Sequence, residues 1–468
     1  MQNRHNLPLF GFRDKLGYLF GDFGNDFTFL LSTTILLKFY TDVMGVPAAA
    51  VGAIMMAARF IDAITDVTMG RICDRSKVTA AGKFRPWLLR MCVPVAASSF
   101  LIYQSRLASM PLPFKVVYLF VTYVLWGTVF YTANNIPYGS MASAISANPD
   151  DRQSLSTYRS MGATLAGTVI GVIIPLTAFR RIDGRDVLVG GRVTFIAGIF
   201  SLLAILCYLL CYYLSAERVL PNSSGDKRPE ISVKAMLSAA LKNRALLSII
   251  AASVVTLLAQ LTMQTMGGYI YPEYYNNAGA QSAATLSMMG VMFAAAGLAK
   301  PLASRFGKAE ISATASLFAA GVCIFTFLLR PASVWVFVLL QTLNWFGLGI
   351  FTMVSWALIT DVIDHAELQN GVREDGSVYA LYSFARKLGQ AGAAGTTGAL
   401  LTLIGYDTDA AAQQLEQSTS VKEGIFNIAV LVPAAGFLLL ALILWFWYPL
   451  HKKQVDANTA ALMHRHKP

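Results

Sequence analysis

Long apolar runs alternate with short polar connections along the whole chain. Each run is long enough for a helix, which rises 1.5 Å per residue, to cross the hydrocarbon core of a bilayer. The pattern predicts an all-α membrane protein with twelve transmembrane helices. The predicted spans lie near residues 17–40, 47–71, 87–106, 113–146, 157–179, 190–215, 243–271, 281–303, 309–330, 333–363, 376–404 and 424–450.

Composition supports this pattern. The 468 residues are 55% hydrophobic and 13% charged, whereas soluble domains carry roughly 25% charged residues. Because the deficit extends over the whole chain, we expect a multi-pass protein rather than a soluble domain with one anchor. The start of the chain is polar and basic, and the first apolar run is too long for a signal peptide, so no cleavable signal is expected.

A net charge of +11 would suit nucleic acid, but the placement of the basic residues argues against such a partner. They cluster after the second, sixth and eighth spans and in the tail, which is the positive-inside pattern. The pattern predicts a bacterial-type inner (cytoplasmic) membrane protein with both termini in the cytoplasm. Four arginines between the fifth and sixth spans are the exception, and the sequence assigns no role to Arg180, Arg181, Arg185 and Arg192.

One polar linker, residues 215–236, divides the chain into halves of six predicted helices each. Short basic connections follow the second and the eighth spans, and these equivalent positions indicate an internal repeat. The predicted domains are an N-terminal six-helix bundle, a cytoplasmic middle loop, a C-terminal six-helix bundle and a cytoplasmic tail, at residues 1–215, 216–242, 243–450 and 451–468.

Three charged residues interrupt the second predicted span. Arg59, Asp62 and Asp66 are spaced by three and four residues, which places them on one face of a helix. A charge at mid-bilayer costs roughly 2.5–3.5 kcal/mol on the insertion scale, so this face is expected to meet water or another helix. Carboxylates there are typical of a cation-coupled transporter.

The first span contains two further aspartates in GDFGNDFTF, beside glycines that permit close helix packing. Asp22 is expected either near the interface, where water solvates it, or in the charge network with Arg59. Asp26 lies deeper, and we expect it to face a cavity and bind ligand hydroxyls or a partner cation.

The fourth span brings Tyr131, Thr132 and Asn135 onto one face. Aromatic rings stack on sugars, and hydroxyl and amide groups hydrogen-bond them. Tyr131 is therefore a candidate for sugar contact, with packing inside the bundle as the alternative. Pro137 and Gly139 loosen the helix that follows.

Three more residues are candidates for ligand contact. Arg159 opens the fifth span, and either binds ligand oxygens or carboxylates or reaches the membrane interface. Lys387 lies halfway along the eleventh span, so it is expected to pair with a carboxylate or line a cavity. Trp345 on the tenth span lines the cavity or lies at the interface. No phosphate loop, zinc spacing or nucleophile elbow indicates an enzyme.

Four separated motifs, ARFIDAITDVTMG, GKFRPW, NIPYGS and SVYALYSFARKLGQA, resemble those of the glycoside–pentoside–hexuronide:cation symporters. This family belongs to the major facilitator superfamily, and the resemblance covers essentially the whole chain. It implies two six-helix bundles around a central sugar site with alternating access.

The resemblance also implies roles for individual residues. The family's cation-site positions correspond to Asp62, Asp66 and Thr132, and the helix-four acidic position corresponds to Asn135. The positions of its sugar and charge network correspond to Asp26, Tyr131, Arg159 and Lys387.

This chain departs from the melibiose-permease-like members of the family in three places. Asn135 replaces an acidic residue, Gly139 a tryptophan, and Thr65 an asparagine of a sodium-using relative. The NIPYGS form is closer to the glucuronide and pentoside branch.

The sequence therefore predicts a secondary transporter for symport of a sugar, glycoside or acidic sugar such as a uronide or sulfonated sugar. The coupling ion is a proton or sodium, with the proton favoured; Asp62 and Asp66 are metal ligands only if sodium is used. No cofactor is expected, and the protein is expected to be a monomer whose partners are the substrate, the cation and lipid. The alternatives are an exporter of a sugar acid on the same fold and a non-transporting membrane sensor.

Overall fold

The computed structural model describes residues 8–219, 243–370 and 375–465. Long helices make up most of this part of the chain. They are α1 (Phe12–Asp42), α2 (Ala48–Arg75), α3 (Arg85–Ile102), α4 (Leu112–Ile145), α5 (Pro149–Thr177), α6 (Gly190–Leu214), α7 (Arg244–Tyr274), α8 (Gly279–Phe306), α9 (Lys308–Leu329), α10 (Val334–Asn370), α11 (Asp375–Leu403), α12 (Thr419–Trp447) and α13 (Lys452–Arg465).

Ten helices of the described residues, α2 to α10 and α12, are long and apolar enough to cross a membrane. The predicted all-α membrane architecture is confirmed. Helices α1 and α11 are similarly long but more polar, and they coincide with the predicted spans 17–40 and 376–404. For these two helices, spanning stays a prediction.

Capping chemistry explains where helix α5 begins. The side chain of Asn148 accepts a hydrogen bond from the Asp150 amide at 3.0 Å, and Pro149 occupies the first turn, where its missing N–H costs nothing. Helix α5 therefore starts at Pro149, well before the predicted residue 157. The apolar pattern misses this turn because its residues are polar.

The chain forms two compact units. One comprises the described residues of Met1–Asp226 together with Gly398–Ser418. In it, α1 packs against α5 and α6, α3 packs against α6 and α4, and α2 packs against α4. Glycines allow the close approach: a Cβ at Gly24 would lie 2.9 Å from the Cβ of Cys207, and one at Gly162 would overlap the carbonyl oxygen of Leu19.

The other unit comprises the described residues of Lys227–Thr397 and Thr419–Pro468. Here α10 packs against α8 and α9, and α12 packs against α9 and α7. Leu358 and Leu440 are fully buried in the core of this unit. Helix α13 packs on α10; its first amide, at Lys452, donates to Glu310 at 2.8 Å. The sequence predicted this segment only as a cytoplasmic tail.

The segment Gly398–Ser418 contacts the first unit through specific hydrogen bonds. The Tyr406 hydroxyl donates to the carboxylate of Asp42 at 2.8 Å, and the amide of Ala49 donates to the hydroxyl of Thr402 at 2.9 Å. Asp42 also forms a buried ion pair with Lys38 at 2.6 Å. The sequence-based division grouped this segment with residues 243–450.

The arginines between the fifth and sixth predicted spans lie on or next to a β-hairpin that the apolar pattern did not predict. Strands β1 (Phe179–Ile182) and β2 (Arg185–Leu188) pair antiparallel. The turn residues Asp183 and Gly184 have φ of 48° and 80°, and Asp-Gly is a strong hairpin signal. Arg192 donates to the carbonyl of Phe179 at 2.6 Å, so this arginine anchors the hairpin.

Candidate functional site

A single hydroxyl joins the two aspartates of α2. The Thr132 Oγ1 atom lies 2.7 Å from Asp62 Oδ1 and 3.2 Å from Asp66 Oδ1. The two carboxylate oxygens are thus no more than about 6 Å apart, a separation at which one negative charge opposes another. Asp62 and Thr132 are buried and Asp66 is half-buried. The structure brings together three residues that the sequence named as candidate cation ligands.

Local helix geometry places Thr132 in this position. A π-helical turn, Leu125–Tyr131, immediately precedes it, and such turns are frequent at functional sites. The Thr132 hydroxyl also lies 3.2 Å from the carbonyl oxygen of Gly127. Two carboxylates, a hydroxyl and a carbonyl therefore converge, and an all-oxygen set suits a proton or a hard cation. We call Asp62, Asp66 and Thr132 the aspartate cluster.

Arg59 lies beside this cluster. Its Nη1 atom is 3.8 Å from Asp62 Oδ2, and its guanidinium stacks 4.7 Å above the ring of Phe29. Arg59 and Asp62 are both buried. Because an unpaired buried charge is strongly unfavourable, each of the two charges compensates the other. Arg59 thus pairs with Asp62 of the aspartate cluster, whereas the predicted network had grouped it with Asp22.

Asp22 and Arg159 form a second charged pair in the same unit. Arg159 Nε donates to Asp22 Oδ1 at 3.0 Å, and the guanidinium lies 5.3 Å from the ring of Tyr138. Asp22 is buried rather than solvated at an interface, while the Arg159 side chain remains 40% exposed. The arginine is held in place yet remains accessible.

Asp26 and Tyr131 form no hydrogen bond with the aspartate cluster or with the Asp22–Arg159 pair among the described residues. Asp26 is half-buried and accepts no hydrogen bond from the described residues. The ring of Tyr131 packs against Phe29 and Trp126, with ring centres 5.9 and 5.7 Å apart. These ring contacts of Tyr131 agree with the alternative in which Tyr131 packs inside the bundle. That Tyr131 or Asp26 contacts a sugar stays a prediction.

A set of amide contacts between α1, α4 and α6 was not predicted from the sequence. Asn25 Oδ1 accepts hydrogen bonds from Asn134 Nδ2 and from the Tyr208 hydroxyl, each at 3.0 Å, and Asn25 Nδ2 donates to Asn135 Oδ1 at 3.3 Å. We call these four residues the Asn25 knot. The sequence did contain a signal for this polar contact, because Asn25 lies between Asp22 and Asp26 within an apolar span. That Asn135 binds a cation stays a prediction.

The remaining candidates lie in the second unit. Lys387 on α11 and Trp345 on α10 are both half-buried there. Lys308 at the start of α9 forms an ion pair with Asp361 on α10 at 2.6 Å. This ion pair compensates the charge of the buried Asp361 carboxylate.

The chain matches the family described as MFS/sugar transport protein over residues 17–452 and belongs to it. A putative sulfoquinovose importer of Salmonella typhimurium is 31% identical, with 97% of this chain and 93% of the relative covered. A putative 2,3-dihydroxypropane-1-sulfonate exporter of the same organism is 31% identical, with 94% of each chain covered. The resemblance to the glycoside–pentoside–hexuronide:cation symporters is thereby confirmed.

A solved structure shows the same fold. The crystal structure of a D-xylose-proton symporter superposes with a TM-score of 0.63, covering 93% of this chain and 97% of that one, at 13% sequence identity. At that identity the likeness concerns the fold alone. The protein is a multi-pass membrane transporter of the major facilitator type, in a family of sugar transporters.

Proposed function

We propose that the protein is a cation-coupled symporter of an acidic sugar or glycoside, working by alternating access. The observation that carries the coupling is the Thr132 hydroxyl within hydrogen-bond distance of both Asp62 and Asp66. Binding of one cation relieves the repulsion between the two carboxylates and favours the state that binds sugar. By linkage, sugar tightens cation binding by the same factor.

The proposed coupling ion is a proton. The two carboxylate oxygens lie no more than about 6 Å apart, and a single proton relieves the repulsion between the two charges. The departures at Thr65 and Asn135 leave fewer anionic ligands than a sodium site of the related type, and sodium as a hard cation prefers oxygen ligands.

The proposed substrate carries a carboxylate or sulfonate. The name of the related sulfoquinovose importer supports a sulfonated sugar. Arg159 is the counter-charge that we assign in the first unit, because its side chain is accessible and Asp22 holds only its Nε atom in a hydrogen bond at 3.0 Å. Lys387 and Trp345, both half-buried in the second unit, are the corresponding candidates there.

Export of a sugar acid is the second candidate function. A relative of similar identity is named as a putative exporter of a sulfonate. The same fold serves both directions, since ion and substrate gradients set the direction of net flux.

We further propose that the protein resides in the inner membrane as a monomer with both termini cytoplasmic, and that it has neither a cofactor nor an enzymatic activity. The distribution of basic connections supports the orientation.

Counterflow in membrane vesicles tests the transport function. Vesicles loaded with unlabelled sugar would be diluted into labelled sulfoquinovose, glucuronate, methyl glucuronide, glucose and xylose. The proposal expects accumulation of the label with an acidic member and little with its neutral analogue. Absence of counterflow for every sugar would contradict the proposal, and counterflow with neutral sugars alone would contradict the charge assignment.

A further inference from the structure

The Asn25 knot determines which atom of Asn135 is left unpaired. Asn25 has one carbonyl oxygen and one amide nitrogen. The oxygen accepts from Asn134 and Tyr208, so only the nitrogen is available for Asn135, to whose oxygen it donates. Asn135 is half-buried and makes no other hydrogen bond with the described residues, which leaves its amide N–H donors unpaired.

The hydroxyl of Tyr208 sets the direction of these hydrogen bonds. Tyr208 and Asn25 are each 1% exposed, and a buried hydroxyl proton without an acceptor is unfavourable. If the amide of Asn25 were turned around, its nitrogen would face Tyr208 and the hydroxyl proton would lose its acceptor. When Tyr208 donates to the oxygen of Asn25, the nitrogen of Asn25 faces Asn135 and donates to its oxygen. The hydrogen bond of Tyr208 therefore fixes the oxygen of Asn135 as the atom that is hydrogen-bonded.

We propose that Asn25 and Tyr208 are positioning residues that make Asn135 present N–H donors to the transported molecule, favouring a substrate with a carboxylate or sulfonate over its neutral analogue. This inference rests on the proposed sugar transport function. Asn135 lies one helical turn after Thr132, on the same face of α4. An N–H donor attracts an anion and repels a cation, so Asn135 serves the substrate rather than the coupling ion.

The isosteric substitution Asn25→Asp tests the assignment. A carboxylate still accepts from Asn134 and Tyr208 but cannot donate, so Asn135 must turn its amide and present an acceptor. The probes are sulfoquinovose and glucose, which differ only in the sulfonate or hydroxyl at C6. Binding to the purified full-length protein, measured by titration calorimetry, should weaken about tenfold more for sulfoquinovose than for glucose.

Tyr208→Phe supplies a second test without the added charge. It removes the hydroxyl and leaves Asn134 as the one donor to the Asn25 oxygen within the knot. The direction is then less strongly set, and the preference for sulfoquinovose over glucose should fall about threefold. Tyr40→Phe is the matched control, because Tyr40 is also buried in this unit and donates one hydrogen bond, at 3.0 Å to the Ile102 carbonyl. It should leave the preference unchanged.

Equal changes in the affinity for the two sugars in Asn25→Asp and Tyr208→Phe would overturn the inference. If Asn25→Asp does not fold, Tyr208→Phe alone decides. The readout is a ratio of binding affinities and does not depend on ion coupling. Failure of the wild-type protein to carry out counterflow would contradict the proposed function instead, so the two failures are distinguishable.

Discussion

The hydroxyl of Thr132 lies 2.7 Å from a carboxylate oxygen of Asp62, although 70 residues separate the two in the sequence. The same hydroxyl reaches Asp66 at 3.2 Å. Helix α4 therefore supplies the group that connects two carboxylates one turn apart on α2. This contact provides the physical basis for treating the aspartate cluster as the coupling site.

Neutralising either aspartate should uncouple transport. Asp62→Asn and Asp66→Asn are each expected to abolish uphill sugar uptake while sparing downhill exchange, because a neutral amide no longer binds the coupling cation. Uptake against a gradient and counterflow in vesicles measure the two activities separately. Asp74→Asn, an exposed position on the same helix, should behave like wild type. Normal concentrative uptake in both cluster variants would refute the assignment.

Removing the Thr132 hydroxyl should strengthen proton binding without changing any charge. Thr132→Val keeps the shape of the side chain but loses the donor shared by Asp62 and Asp66. Because that hydrogen bond stabilises the ionised carboxylates, we expect its loss to raise the apparent proton affinity about tenfold, the size of one hydrogen bond to a charged group. Initial sugar uptake as a function of cation concentration measures it. Thr132→Ser retains the hydroxyl and should stay near wild type. An unchanged or lowered proton affinity in Thr132→Val, or the same change in both variants, would contradict the role of the hydroxyl.

The coupling ion can be identified by proton movement. If a proton is carried, adding substrate to a lightly buffered suspension of energy-depleted cells should raise the pH of the medium, with or without sodium. A pH electrode records the change, and a protonophore should abolish it. Uptake that strictly requires sodium or lithium would overturn the proton assignment, and the oxygen atoms of the aspartate cluster would then be metal ligands.

The charge of the substrate should determine the cost of losing Arg159 or Lys387. If either residue pairs with an acidic sugar, its substitution by Gln should cost about 3–5 kcal/mol with that sugar, against about 0.5–1.5 kcal/mol with the neutral analogue. Paired binding titrations with glucuronate and glucose measure the difference. Equal losses would show that these cations serve the protein's own charges, such as Asp22, and would favour a neutral glycoside.

The sequence alone was sufficient to predict the membrane fold class and to single out several candidate site residues. Helix-forming apolar runs are local, so their lengths predict spans directly. The spacing of Arg59, Asp62 and Asp66 is likewise local, because residues three or four apart share a helix face. A charge within such a run is costly enough to mark the position without knowledge of its partners.

Contacts between distant helices required the tertiary structure. Whether Asp22 is solvated or paired depends on Arg159, 137 residues away. The Asn25 knot joins residues up to 183 positions apart, and an asparagine in a helix does not reveal which neighbour its amide meets. The docking of Tyr406 on Asp42 spans 364 positions. Periodicity determines which face a side chain occupies, but only the packing of the helices determines which groups face one another and which atoms remain unpaired.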